Sequence, residues 1–143
     1  MGKINVARVV LGGLLAGLVI NIGEFVLNSY VVAEESAALM ERLGLRPIGI
    51  HQIGVFLAMT FVLGIVIVFV YAAMRPRFGA GVKTAIIAGV TVWIVAMFAQ
   101  VADLVMGILG ANLLILIGIW SLVEMTVASI VGAWVYQEAA PKM

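Results

Sequence analysis

Gln52-IGVFLAMTFVLGIVIVFVYAA-Met74 runs without one charged residue. A hydrocarbon core about 30 Å thick takes roughly 20 helical residues to cross, so this stretch reads as a transmembrane helix. Three more stretches have the same character. The spans are expected at about Val9–Asn28, Gln52–Met74, Thr84–Met106 and Leu113–Tyr136. Each is long and continuously apolar, without the alternation of a membrane β-barrel. The expected fold class is all-α integral membrane: a four-transmembrane-helix bundle forming a single membrane domain over residues 1–143.

Composition points the same way. The 143 residues are 65% hydrophobic and 10% charged, with a mean hydropathy of +1.27. A soluble domain carries about 25% charged residues; here there are too few to cover a water-facing surface. The lipid bilayer is therefore the first expected partner. A net charge of +1 with no basic stripe argues against nucleic acid. The absence of cysteine removes disulfides, thiolate metal sites, iron–sulfur clusters and thiol nucleophiles. One histidine cannot supply a bis-imidazole haem site, and there is no phosphate loop, Ser/His/Asp signature or His-Glu-x-x-His. The sequence specifies no cofactor. Lys3 and Arg8 precede the first apolar stretch as in a signal peptide, but that stretch is too long and no small-x-small site follows it.

The connections differ in kind. Between the first two spans, residues 33–44 read as a short helix with Leu39, Met40 and Leu43 on one face, ended by Gly44 and Pro47 and expected on the membrane surface. Arg75 to Lys83 reads as a basic turn, and Gly107 to Asn112 as a tight uncharged one. Lys3, Arg8, Arg75, Arg77, Lys83 and Lys142 fall on one side of a four-span topology, against Arg42 and Arg46 on the other. That bias predicts cytoplasmic N- and C-termini. A faint repeat accompanies it. Asn21-x-x-Glu24 matches Gln100-x-x-Asp103, and Tyr71 precedes Pro76 as Tyr136 precedes Pro141. Two helical hairpins of the same orientation would form a parallel repeat about the membrane normal.

Polar groups inside a bilayer are expensive, so each needs a reason. On the first span Gly13, Gly17, Asn21, Glu24 and Asn28 share one helical face. Its inner part lets another helix approach closely, and its outer part carries a carboxyl between two amides. On the fourth span Gly118, Ser121, Glu124, Ala128 and Gly132 form a second small-residue face. Glu124 is near mid-span, where an ionised carboxyl is the most costly charge in the chain. It has three readings: proton carrier, cation ligand, or neutral acid fastening two helices. Gln100 and Asp103 lie on one face of the third span. Glu24, Asp103 and His51 fall at similar outer levels, so they form a candidate metal or proton-relay cluster. The bland reading is an interfacial histidine bonded to a backbone carbonyl. Trp93 and Trp120 sit deeper than an interfacial belt, which points to packing between helices or against a partner.

Leu11-GGLLAGLVINIG-Glu24 and Tyr71-AAMRPRF-Gly79 resemble segments of small bacterial membrane proteins that have no assigned function. The resemblance covers those two stretches and implies a bacterial inner membrane. It carries over no functional residue.

Three functions are consistent with these features. The first is an accessory or structural subunit of a larger membrane complex, with other membrane subunits or a second copy as partner. The second is a small proton- or cation-linked carrier or channel using Glu124 and an outer Glu24/His51/Asp103 mouth. The third is a membrane enzyme acting on lipid or quinone through a metal at that cluster. A central pore through so thin a bundle would require a dimer.

Overall fold

A computed structural model describes residues 4–137; Lys3, Pro141 and Lys142, which entered the orientation and repeat arguments, lie outside them. The described residues form a helical bundle without strands. Helix α1 spans Val6–Val26 and passes through a π-helical turn, Leu27–Val31, into α2, Ala33–Arg42. Helices α3 (Ile50–Phe78), α4 (Val82–Val105) and α5 (Ala111–Val135) follow. Four segments are long and apolar enough to cross a membrane: Val6–Val31, α3, α4 and α5. Large apolar side chains such as Leu18, Phe69, Ile94 and Ile119 face outward from them, a surface that suits lipid.

Helix α3 extends beyond the expected span at both ends and absorbs Arg75 and Arg77 of the basic segment. Its 29 residues cover about 43 Å at 1.5 Å per residue. Pro76 lies inside its last turns. There the missing N–H removes one intrahelical bond close to a terminus, where fewer bonds depend on it. The turn to α4 is reduced to residues 79–81, where Gly79 and Gly81 adopt φ of 83° and 130°, values that other L-residues avoid.

In cross-section, α1 packs on α3 and α5, and α4 packs on α5 and α3. Helices α1 and α4 are therefore diagonal. Small residues set these approaches. A Cβ on Gly12 would lie 2.6 Å from Gly132 O, one on Gly17 would lie 2.7 Å from Phe61 Cα, and one on Gly89 would lie 2.8 Å from Met125 O. Lipid tails are as apolar as leucine, so helices gain by close packing rather than by escaping water. The glycines of the stripe expected on the first span, Gly13 and Gly17, face α3, whereas Gly12 and Gly23, one position off the stripe, meet α5.

At the end of the bundle carrying Asn5 and Tyr136, the two tyrosines of the proposed repeat meet edge to face, with ring centroids 5.9 Å apart. Each also reaches the start of the other hairpin. The N–H of Gly81, the N-cap of α4, donates to the Tyr71 hydroxyl (3.3 Å), and the N–H of Asn5, the N-cap of α1, donates to the Tyr136 hydroxyl (3.4 Å). These paired contacts relate α1–α3 to α4–α5 as two parallel hairpins. In that register Gln100 corresponds to Glu24 rather than to Asn21, so the polar pairs of the sequence match are out of step by about one turn.

At the opposite end, α2 packs on protein. Leu39 lies against a cluster of Leu27, Val32, Leu109 and Leu113, and the Arg42 guanidinium donates to Ile108 O. Met40 is half-buried and Leu43 exposed.

Candidate functional site

Several polar side chains within the spans act as fasteners between helices. Thr60 Oγ1 donates to Asn21 Oδ1 (2.6 Å), joining α3 to α1, while the Asn21 amide donates to Gly17 O (2.9 Å). The Trp93 indole N–H reaches Gly118 O (3.0 Å) and Ser121 Oγ (3.1 Å), joining α4 to α5. Ser129 Oγ donates to Ala85 O (2.7 Å) across the same interface. A double-mutant cycle of Asn21→Leu and Thr60→Val is expected to give a coupling of about 0.6 kcal/mol, the average for interhelical hydrogen bonds in a bilayer. Reversible unfolding in mixed micelles measures it; strictly additive single mutants would show that the bond contributes nothing.

Glu124 differs. Its residue is 8% exposed, yet neither carboxyl oxygen makes a well-formed hydrogen bond. The donor that acts on it is the indole N–H of Trp120, one turn away on the same helix. That N–H also lacks good hydrogen-bond geometry, so the contact is weak and fastens no second helix. The carboxyl lies against α1 at Gly23, where a Cβ would overlap Oε1 and Cδ. Glycine there makes the space that the carboxyl occupies. Glu24, the next residue, is close enough for the two charges to repel. Its own carboxyl is partnered: the Asn28 amide donates to Glu24 Oε2 and to Glu24 O, both at 2.9 Å.

Glu124 and Trp120 line a groove of about 580 Å³ between α1 and α5. Val19, Ile22, Gly23 and Val31 form one wall, and Leu116, Ile119, Val123 and Val127 the other. Ile22, Ile119 and Val123 are more than half exposed, so the groove opens sideways, toward the lipid that surrounds a bundle of this kind.

The remaining sequence candidates fall elsewhere. Gly118 and Ser121 face α4, so the stripe expected on the fourth span splits between two neighbours: Gly132 and Glu124 meet α1, and Ala128 is fully buried. Asn28 is exposed in the π-helical turn. His51 is exposed in the first turn of α3, and Gln100 and Asp103 are half-buried on α4. Among the described residues no three His, Asp or Glu side chains gather within reach of a metal ion. Glu24, His51 and Asp103 are thus not brought together as a ligand set. Two facts account for this. Helix α4 is diagonal to α1, and Asp103 is two residues from the end of α4 whereas the first span continues from Glu24 to Val31.

Sequence reasoning missed Gly23 and assigned Trp120 no role at Glu124. The four-residue spacing of Trp120 and Glu124 put them on one face and was a usable signal. Nothing local marked Gly23, whose importance depends on which helix faces α1. The chain matches no known protein family, no curated protein and no solved structure.

Proposed function

We propose that this protein is a small proton- or cation-linked membrane carrier whose working group is the Glu124 carboxyl. One observation carries the reading. Asn21, Trp93, Ser121 and Ser129 all bond between helices, whereas the most costly polar group in the spans fastens nothing and borders a groove. A carboxyl kept for structure would be expected to hold a partner on another helix, because an unsatisfied buried polar group is destabilising. A carboxyl kept to take up and release a proton or cation needs a coordination sphere left incomplete. The groove lies on the flank of the bundle, so a single copy can offer the site without a central pore. Glu24 supplies the second acidic group.

The proposed setting is a bacterial inner membrane with both termini in the cytoplasm, supported by the basic-residue bias and the resemblance described above. A reporter fused to either terminus should then report the cytoplasmic side; termini on opposite sides would refute the topology. Purified protein in liposomes should dissipate an imposed pH or monovalent-cation gradient faster than protein-free liposomes do. Silence under every such gradient would exclude the carrier.

An accessory role in a larger membrane complex is the second reading. Residues 50–59 of α3 are exposed all round, a length of helix that a neighbouring subunit would cover. The internal use of the small-residue faces weighs against it, since Gly12, Gly13, Gly17, Gly64, Gly89 and Gly132 already make close contacts within one copy. A stoichiometric partner retained through purification in mild detergent would favour this second role.

A further inference from the structure

We infer that the α1–α5 groove binds a lipid-borne organic cation: an apolar molecule with one positively charged nitrogen, entering sideways from the bilayer. This rests on the reading of Glu124 as a working carboxyl and names what that carboxyl receives. The walls are valine, isoleucine and leucine side chains, which offer dispersion contacts and no hydrogen bonds. About 580 Å³ falls within the roughly 300–1,000 Å³ of small-molecule sites. The one ionisable group on the wall is a carboxyl. Glu124 is buried with two unsatisfied oxygens, and no lysine, arginine or histidine lines the groove. An apolar anion such as a fatty acid would find no cationic partner there.

A divalent metal ion suits the site poorly. Small hard cations take six or more oxygen ligands, and the groove walls are otherwise hydrocarbon. An organic ammonium carries its charge beside apolar substituents, so its transfer into such walls costs much less. The Trp120 ring, on the same wall as the carboxyl, adds an aromatic surface of the kind that attracts organic cations. Entry needs no gate, because the lips of the groove are exposed along Ile22, Ile119 and Val123.

The test is equilibrium binding of radiolabelled dodecyltrimethylammonium to the full chain in nanodiscs of zwitterionic lipid, with empty nanodiscs subtracted. Saturable binding is expected, competed at least tenfold better by unlabelled probe than by dodecanol or dodecanoate. Glu124→Gln should weaken it at least tenfold. Val127→Phe, which narrows the groove and leaves the carboxyl in place, should weaken it as well. Equal competition by dodecanoate, or unchanged binding by folded Glu124→Gln, would overturn the inference. Proton or cation flux without amine binding would refute this ligand and leave the carrier standing. Amine binding without any flux would refute the carrier and leave the site standing.

Discussion

Glu124→Gln is expected to reduce gradient-driven flux in liposomes to the protein-free background while leaving the protein folded. The amide has nearly the size of the carboxyl and fits the same space against Gly23. It retains an oxygen acceptor for the Trp120 indole N–H, four residues earlier on α5. What it loses is the capacity to bind and release a proton or to hold a cation by charge. Stability should not fall, because the carboxyl makes no well-formed hydrogen bond that the amide would forfeit. The amide also avoids the cost of burying an unpaired charge. The expected signature is therefore a separation: loss of flux with an unchanged unfolding midpoint. Full flux by the variant would remove Glu124 from the mechanism. Loss of flux together with loss of folding would instead identify the residue as structural. Glu24→Gln provides a graded comparison. Its carboxyl is already held by Asn28, so it should slow flux without abolishing it.

The spans were legible in the sequence because a bilayer imposes one requirement on all of them, enough apolar residues to cross it. Gln52–Met74 could be read that way with no knowledge of its neighbours. Their limits were less legible. Helix α3 runs to Phe78 through Pro76, since one lost bond near a helix end is tolerated and hydropathy does not register it. The site was half legible. Glu124 stood out by depth alone, but its contacts depend on the order of helices around the bundle, which hydropathy does not encode. Placing α1 diagonal to α4 separates Glu24 from Asp103 and sets Glu24 beside Glu124 instead. The same arrangement gives Gly23 its role. The tyrosine pair was readable as a repeat because Tyr71 and Tyr136 recur at equivalent helix ends. The caps at Gly81 and Asn5 show what that recurrence accomplishes: each hairpin closes on the start of the other.

Gly64→Leu should be the most destabilising single substitution among the helix contacts, with a loss of at least about 3 kcal/mol, the upper end of overpacking effects. Gly64 is buried on α3 where α1 comes closest. Even a single Cβ there would overlap Gly13 O and Gly17 N and lie 2.8 Å from Gly17 Cα. All three are backbone atoms of α1, so no side chain can rotate away, and the two helices must separate along their length. Separation would also break the Thr60–Asn21 bond one turn farther along the same interface. Helices in lipid are held by such close packing, so the lost contact is not recovered by burying leucine elsewhere. Gly54→Leu is the matched control: it lies in the same helix, and nothing comes within 4 Å of its Cβ position. Thermal unfolding of both variants in the same detergent, followed by circular dichroism, provides the comparison. Equal midpoints would mean that α1 and α3 do not approach as closely as the glycine contacts require, and the bundle geometry that sets Glu124 against Gly23 would fall with them.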